Sequence, residues 1–282
     1  MQLSGSLFEL PSAIRDPTAY DGPRAFARDC EQDMKQEEVL AGASFYDHAM
    51  SSPRALAATL DHTLLKADAT RAQVLKVCEE AAQYRFACAM VNPFWVSTAA
   101  AALAGTGVPV GVVIGFPLGA SLSESKVDEA QRVIALGAHD VDMVMNIGAL
   151  KGGEYDTVSS DIRRVVETAH ARGAIVKVIL ETALLSFEEK LRASEIAVAA
   201  GADFIKTSTG FSTGGATVDD IAQMRGVAGD RCGVKASGGI RSLADAQAMI
   251  AAGATRIGAS ASVRIVQELT GNADLKAAGS GY

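Results

Sequence analysis

The chain has 282 residues, of which 26 are Lys or Arg and 33 are Asp or Glu, so its formal net charge is 26 − 33 = −7. With 49% hydrophobic and 21% charged residues, the composition is that of a folded globular protein and argues against a mainly disordered chain. The acidic balance disfavours a general nucleic-acid binder, and the lack of ~20 uninterrupted apolar residues disfavours a transmembrane helix. The start of the chain lacks the pattern of a secretory signal, so we expect a cytoplasmic protein that binds neither nucleic acid nor membrane.

The first fifty residues differ from the rest of the chain. They contain Asp16-Pro17 and Gly22-Pro23, followed by a charged run over 29–38. Such pairs are typical of turns between short elements. We therefore predict a helical N-terminal extension over 1–50 and a second unit over 51–282 that ends in a flexible tail.

From residue 57 onward, short β-like runs recur along the chain. Their apolar character suits strands of a parallel sheet that is covered by helices. Eight such runs begin near Thr59, Phe86, Val110, His139, Ala174, Ala202, Cys232 and Thr255.

Helical stretches fill the gaps between these runs. They carry apolar residues at spacings of three and four, and a glycine follows several of them as a helix stop. The stretches cover 70–83, 98–104, 123–136, 156–172, 186–200 and 242–252, with glycines at 137, 173, 201 and 253.

A succession of eight βα units predicts a closed (β/α)₈ TIM barrel. The alternative is a doubly wound open sheet, which normally carries a glycine-rich phosphate loop after its first strand. Here the first strand ends in Leu-Asp-His-Thr-Leu-Leu-Lys without a glycine, and the glycine-rich segments come late. This placement favours the barrel, in which phosphate groups often bind near the last two strands.

Three consecutive predicted strands each carry one lysine: Lys177, Lys206 and Lys235. Lys177 lies in Ala-Ile-Val-Lys-Val-Ile-Leu, where burial disfavours the charged form and lowers a lysine pKa. Because neighbouring strands lie about 4.8 Å apart, Lys206 should enter the same lumen and depress the pKa of Lys177 further. An unprotonated lysine is a nucleophile for a carbonyl carbon. A structural pairing with a buried carboxylate is the alternative.

Acidic and hydroxyl residues on other strands complete the candidate site. Asp142 shares a face with Asp140, and a carboxylate near two ammonium groups stays ionised and can relay protons; a structural ion pair is compatible with this role. Asp61 and Thr63 share a face of the first strand and are candidates to bind substrate hydroxyls. Glu181 is either a wall of the site or an acid at a helix start.

Three glycine-containing loops follow the last three predicted strands, over 208–215, 237–239 and 258–262. Glycines let backbone N–H groups approach an anion, and a helix N-terminus adds partial positive charge. The loops predict a phosphorylated small-molecule ligand. The candidate positions are Gly210, Gly238, Gly239, Gly258 and Ser260, with Lys235 supplying a full positive charge.

No metal or other cofactor is predicted. The four histidines form neither HxH nor HExxH, and the four cysteines form no CxxC pair. Cysteines of this kind in a cytosolic protein are expected to be reduced and mostly buried.

Several of these segments together resemble the deoxyribose-phosphate aldolases. The resemblance runs from about Leu60 to Ser262 and is carried by LDHTLLK, FPLGA, SKVDEA, VDMVMNIGAL, VKVILET, GADFIKTSTGF, VKASGGIR and RIGAS. It implies a class I, metal-free aldolase on a (β/α)₈ barrel. Such an enzyme reversibly cleaves 2-deoxy-D-ribose 5-phosphate to acetaldehyde and D-glyceraldehyde 3-phosphate, and it is commonly a dimer or tetramer, so a homo-oligomer is expected.

The resemblance also implies roles for matching residues. Lys177 in VKVILET looks like the Schiff-base lysine, and Lys206 in FIKTSTG looks like a second lysine that lowers the pKa of the first. Asp142 in VDMVMN looks like the proton-relay carboxylate. Some members end in a tyrosine on a flexible tail that visits the active site, which Tyr282 matches. The family's phosphate-binding positions match Gly238, Gly239, Gly258 and Ser260.

The chain departs from this pattern at two points. Many relatives have a cysteine two residues before an Asn-Pro or Tyr-Pro pair on the second strand, where this chain has Met90, with Cys88 two residues earlier. The extension over 1–50 is also longer than the start of many relatives.

Two other functions stay open, namely another phosphosugar lyase or isomerase on the same barrel, and a catalytically inactive barrel that serves as a binding module.

Overall fold

Eight parallel strands pair with their neighbours in chain order, and the eighth pairs with the first, so the sheet closes into a barrel. The computed structural model describes residues 44–271, so most of the predicted N-terminal extension and Tyr282 lie outside it. The predicted (β/α)₈ barrel is confirmed, with one strand in each predicted run. The strands are β1 (Leu60–Leu64), β2 (Cys88–Val91), β3 (Val110–Ile114), β4 (Ala138–Val144), β5 (Ile175–Ile179), β6 (Phe204–Lys206), β7 (Gly233–Ser237) and β8 (Arg256–Ala259).

Helices connect successive strands, and the predicted ones are confirmed to within two residues at each end. They are α1 (Phe45–Met50), α2 (Pro53–Ala57), α3 (Arg71–Tyr84), α4 (Val96–Leu103), α5 (Ser123–Ala135), α6 (Ile147–Lys151), α7 (Tyr155–His170), α8 (Phe187–Ala199), α9 (Val218–Ala228), α10 (Leu243–Ala251) and α11 (Ser262–Leu269). Short 3₁₀ helices cover Pro93–Trp95 and Thr182–Leu184.

Local sequence sets the ends of these helices. Thr70, Ser186 and Ser242 each accept a hydrogen bond from the backbone N–H three residues later, and the side chain of that later residue accepts from the cap, which forms a capping box. After α10, Gly253 has φ +110°, and a Cβ there would lie 2.7 Å from the Arg225 side chain. A glycine is therefore needed where the chain turns from α10 into β8.

The apolar periodicity does not locate α9, although eight βα units require a helix after β6. This helix begins soon after the glycine-rich segment over 208–215, and its start depends on Thr217, whose side chain accepts a hydrogen bond from the backbone N–H of Asp220. The adjoining glycines obscure the helical periodicity at this point.

Alternate residues of each strand face either the helices or the barrel interior. Met143 and Met145 face outward into the large apolar core between sheet and helices. A separate small cluster of buried apolar residues comprises Leu65, Cys88, Met90 and Val113. The interior also contains a group of paired charges, and these charges form the candidate site.

The two short helices α1 and α2 precede β1, and α2 contacts α11. The boundary predicted after residue 50 falls between α1 and α2. The division into two units and the role of the extension stay predictions, because residues before 44 lie outside the described part. Within residues 44–271, no helix is both long enough and apolar enough to cross a membrane.

Candidate active site

All three predicted lysines are buried in the barrel interior, but at different depths along their strands. Lys177 lies in the middle of β5, where it is in register with Asp142 on β4. Lys206 is the last residue of β6 and is in register with Ile179, two residues beyond Lys177, and with Lys235 on β7. Lys206 therefore lies at the C-terminal end of its strand, where barrel enzymes bind their substrates.

Lys177 is fully buried and surrounded by carboxylates. Its Nζ lies 2.5 Å from Asp140 Oδ2, 3.1 Å from Asp142 Oδ1 and 3.6 Å from Asp61 Oδ2. Burial lowers the pKa of Lys177, but these carboxylates outweigh burial and hold the pKa well above its ordinary value. The prediction that burial and a neighbouring lysine depress this pKa is therefore wrong, and Lys177 is held as an ammonium ion.

Asp142 contacts all three lysines. Its Oδ2 accepts hydrogen bonds from Lys206 Nζ at 2.8 Å and from Lys235 Nζ at 2.7 Å, while its Oδ1 faces Lys177. Burial raises the pKa of this carboxyl, but the three ammonium groups outweigh burial and lower the pKa below its ordinary value. Asp142 is therefore ionised, as the sequence predicts.

Lys206 is the lysine whose charged form is least favoured. Burial and the charges of Lys235 and Lys177 lower the pKa of Lys206 to about 8, although Asp142 acts in the opposite direction. In contrast, Asp142 and Asp61 outweigh burial at Lys235 and raise its pKa. A pKa near 8 leaves roughly a tenth of the Lys206 side chains as free amine at pH 7. Lys206 is thus the amine best prepared to attack a carbonyl.

The charges of this interior cluster do not balance. Four cations in contact with three carboxylates leave 4 − 3 = +1 when all are ionised, so loss of one proton relieves repulsion in the cluster. Within residues 44–271, Lys206 contacts one of these carboxylates and the other cations contact two or three. The cluster consists of Lys177, Lys206, Lys235 and Arg256 with Asp61, Asp140 and Asp142.

Asp61 and Thr63 on β1, which the sequence predicts to bind substrate hydroxyls, instead contact groups of the protein itself. The carboxylate of Asp61 is fully buried, lies 2.5 Å from Lys235 Nζ and accepts a hydrogen bond from Arg256 Nη1 at 2.9 Å. It is thus engaged by cations rather than open to a substrate hydroxyl. Thr63 is half-buried, and its hydroxyl donates to the backbone oxygen of Asp61. The sequence pattern does not single out Arg256, although it is a charged residue in a fourth apolar strand, β8.

The ammonium group of Lys235 lies between Asp61 and Asp142, and its side chain is 1% exposed. It is therefore inside the barrel, whereas the sequence predicts it at the rim, in contact with a phosphate. This position makes Lys235 a neighbour of Lys206 in the charge cluster instead.

The glycine loops after β6 and β7 are joined by hydrogen bonds. Thr207 Oγ1 donates to Ser237 O at 3.0 Å, and Ser237 Oγ donates to Ser208 O at 2.6 Å. Gly238 O accepts from the backbone N–H of Ala216, and a Cβ on Gly238 would lie 2.9 Å from the Gly215 backbone. The close approach of the two loops therefore requires glycine.

The other predicted phosphate positions lie at the same rim. Gly210 and Gly239 are exposed and have φ values of +83° and +82°. Ser260 is exposed directly after β8, whereas Gly258 lies within β8, where a Cβ would be 3.0 Å from the Lys235 side chain. These positions are on adjacent strand ends, as a shared anion site requires, and their contact with phosphate stays a prediction.

Glu181 forms part of the wall of the site. Its side chain does not cap the 3₁₀ helix that follows, and its carboxylate is 2% exposed. Oε2 accepts hydrogen bonds from the hydroxyl and the backbone N–H of Thr209 in the loop after β6. Of the two positions that the sequence left open, the structure therefore favours the wall.

Met90 and Cys88 are both buried on the apolar side of the interior. Burial, with Asp61 and Asp140 nearby, raises the pKa of the Cys88 thiol well above its ordinary value. The ligand atoms of Asp61, Cys88 and Asp140 lie within 4.8 Å of one another, but Lys177 already contacts both carboxylates. A protonated thiol and two paired carboxylates are a poor donor set for a metal ion.

Comparison with known proteins gives a consistent result. A sequence model of the DeoC/LacD family of aldolases matches residues 55–275. The chain is 58% identical over 219 residues to the deoxyribose-phosphate aldolase of Geobacillus sp. strain WCH70, covering 78% of this chain and 98% of that protein. It is 59% identical over 211 residues to the deoxyribose-phosphate aldolase of Bacillus cereus strain AH187, covering 75% and 94%.

A solved structure shows the same relationship. The deoxyribose phosphate aldolase of Aeropyrum pernix, described as a tetramer, superposes with a TM-score of 0.75 at 35% identity and covers 80% of this chain and 95% of that one. The matched span of the family includes all eight strands and the whole interior charge cluster. The chain therefore belongs to the DeoC/LacD family of aldolases.

Proposed function

We propose that this aldolase reversibly cleaves 2-deoxy-D-ribose 5-phosphate to acetaldehyde and D-glyceraldehyde 3-phosphate through an imine on Lys206. The observation that carries the proposal is the position of Lys206 at the C-terminal end of β6 with a single carboxylate partner, Asp142, whereas Lys177 and Lys235 each contact two or three carboxylates. Burial accordingly lowers the pKa of Lys206 to about 8. The choice of substrate is supported by the names of relatives at 58% and 59% identity.

Lys206 takes the role that the family resemblance implies for Lys177. An amine must be unprotonated to add to a carbonyl, and the carboxylates around Lys177 oppose loss of its proton. Lys235 then takes the role of the second lysine. It shares Asp142 with Lys206, and its charge is one of the causes that lower the Lys206 pKa.

Formation of the imine explains how the carbon–carbon bond is weakened. The amine of Lys206 adds to the C1 aldehyde of the open-chain sugar, and loss of water gives a protonated imine. This cation accepts the electron pair of the C2–C3 bond as a base removes the proton of the C3 hydroxyl. C3 becomes the aldehyde of D-glyceraldehyde 3-phosphate, and an enamine remains on Lys206.

Completion of the cycle requires a proton carrier. Protonation of the enamine at C2 regenerates an imine, and hydrolysis releases acetaldehyde and the free amine. Asp142 is suited to carry these protons through water, because its Oδ2 accepts hydrogen bonds from both Lys206 and Lys235. We expect the phosphate end of the sugar to bind at the rim, among the backbone groups of Gly210, Gly238, Gly239, Gly258 and Ser260.

Borohydride trapping tests the assignment. Reduction in the presence of acetaldehyde converts an imine into a stable ethylamine, which peptide mass spectrometry can locate. We expect the adduct on Lys206, its loss in Lys206→Arg, and no adduct on Lys151, an exposed lysine that serves as an internal control. An adduct on Lys177 would restore the sequence-based assignment, and absence of any adduct would favour an isomerase or an inactive barrel.

Three finer expectations belong to the same proposal. We expect a homo-oligomer, a dimer or tetramer, which the tetrameric description of the Aeropyrum pernix relative supports. We expect a cytoplasmic enzyme. Tyr282, which lies outside residues 44–271, stays a proposed contributor to proton transfer.

A further inference from the structure

Glu181 has an unusual backbone conformation for a residue with a side chain. Its φ is +58° and its ψ +61°, in the left-handed region that favours glycine. Within residues 44–271, Arg85 is the other non-glycine residue with positive φ. Such a conformation is unfavourable and persists where surrounding contacts stabilise it, often beside a functional site.

The contacts of the Glu181 carboxylate are all directed to the turn after β6. Oε2 accepts from Thr209 Oγ1 at 2.5 Å and from the Thr209 backbone N–H at 3.3 Å. Thr209 Oγ1 in turn accepts from the backbone N–H of Phe211 at 3.0 Å. Within the described range Glu181 forms no ion pair, and its Oε1 is buried without a hydrogen-bond partner.

The turn that Glu181 contacts connects the proposed nucleophile to the proposed phosphate site. Thr209 follows Lys206 by three residues and directly precedes Gly210. The same segment is also bonded to the last residue of β7, because Ser237 Oγ donates to Ser208 O. Glu181, two residues after β5, and Ser237, the last residue of β7, thus both hydrogen-bond to the segment after β6, and their strands flank β6.

We propose that Glu181 is a positioning residue that holds the Thr209–Gly210 turn in place and thereby sets the affinity for the phosphate end of the substrate. The inference rests on the proposed function, because it assumes that the rim loops bind phosphate. Glu181 acts through Thr209 and does not take part in imine formation at Lys206. Its loss should therefore affect a phosphorylated substrate and leave the reaction with acetaldehyde unchanged.

Two variants test the hydrogen bond between Glu181 and Thr209, one at each of the two residues. Thr209→Val keeps the shape of the side chain and removes its hydroxyl. Glu181→Gly removes the carboxylate and also relieves the left-handed backbone, so it should fold without strain. For both we expect KM for 2-deoxy-D-ribose 5-phosphate to rise by about tenfold or more, since a hydrogen bond to a charged group is lost, with a smaller change in kcat.

Conservative and control variants separate this role from a general loss of structure. Glu181→Gln keeps an oxygen that accepts from Thr209 and should retain most of the affinity, whereas Glu167→Ala on the exposed face of α7 should not alter KM. The rate of borohydride trapping with acetaldehyde should match the wild type in Thr209→Val and Glu181→Gly.

Two results would overturn the inference: an unchanged KM in both Thr209→Val and Glu181→Gly, or a parallel loss of acetaldehyde trapping in them. Failure of the wild type to cleave the sugar phosphate would instead contradict the proposed function, so the two failures are distinguishable.

Discussion

Lys206 and Lys235 donate hydrogen bonds to the same oxygen atom, Oδ2 of Asp142, at 2.8 Å and 2.7 Å. Two ammonium groups on one oxygen repel each other, and Lys235 has a second carboxylate partner in Asp61 whereas Lys206 has none in the described range. The proton is therefore lost more easily from Lys206. Sharing one oxygen atom of Asp142 thus explains why Lys206 is the reactive amine while its neighbour Lys235 stays a cation.

The pH dependence of imine formation should follow the pKa of Lys206. Below about pH 8 the side chain is mostly protonated, so the trapping rate with acetaldehyde should rise with pH through this value and then level off. Lys235→Met removes a neighbouring positive charge, so the pKa of Lys206 should rise and the ascending limb should move to higher pH. Each unit of that shift lowers the rate at neutral pH about tenfold. An unmoved limb would contradict the role given to Lys235.

Asp142→Asn should separate imine formation from turnover. The substitution removes a negative charge, which lowers the pKa of Lys206 further and leaves the free amine present. It also removes the proposed proton carrier, so cleavage of the sugar phosphate should fall by roughly 10²- to 10⁴-fold. Borohydride trapping with acetaldehyde should persist, and higher pH should not restore turnover. Normal turnover would make Asp142 a structural ion-pair partner only.

Lys177→Met should weaken the fold more than the chemistry. Its removal takes one cationic partner from each of three buried carboxylates, and breaking a buried ion pair costs about 3–5 kcal/mol of unfolding free energy. Chemical denaturation measures this loss. The folded fraction should still form the acetaldehyde adduct on Lys206. Folded protein without any adduct would show that Lys177 is needed for the imine.

A second buried ion pair provides the matched control. Lys126 on α5 and Asp161 on α7 are fully or almost fully buried, and their charged atoms lie 2.5 Å apart. Lys126→Met should lower the unfolding free energy by a similar amount, about 3–5 kcal/mol. It should leave the pH dependence of trapping unchanged, because Lys126 belongs to a pair separate from the interior cluster. A shifted pH profile would mean that the profile reports stability rather than Lys206.

Chelation should leave activity unchanged. Asp61 and Asp140, which with Cys88 lie close enough to offer metal ligands, are already paired with Lys177 and Arg256. Dialysis against EDTA followed by the cleavage assay tests this expectation. Loss of activity that added zinc restores would assign a metal to the site.

The sequence predicts which residues share the interior but not which lysine is reactive. Periodicity places the strands, and the strand positions of Lys177, Lys206 and Lys235 direct them inward. The order of their pKa values depends on carboxylates from β1 and β4, above all Asp61 and Asp140, whose distances follow from barrel closure. Strand patterns carry no information on those distances. Because strand patterns carry no such distances, they also do not predict that Arg256 contacts both carboxylates.

The sequence also does not predict the contact between Thr209 and Glu181. It joins residues from successive βα units through a left-handed backbone at Glu181. Neither apolar periodicity nor turn propensity signals a glutamate in that conformation. The sequence indicates the glycines of the loop after β6, but it does not indicate the Glu181 carboxylate that holds this loop.

The hydrogen bond from Arg256 to Asp61 joins the last strand of the barrel to the first. The carboxylate that keeps Lys235 charged therefore has Lys177 and Lys235 as partners within β1–β7, and it gains Arg256 only when β8 is in place. A nascent chain that ends before β8 would bury Asp61 with fewer cations and would lack one edge of the sheet. Closure of the barrel and completion of the charge cluster around Lys206 therefore both depend on β8, and a chain truncated before β8 should have neither.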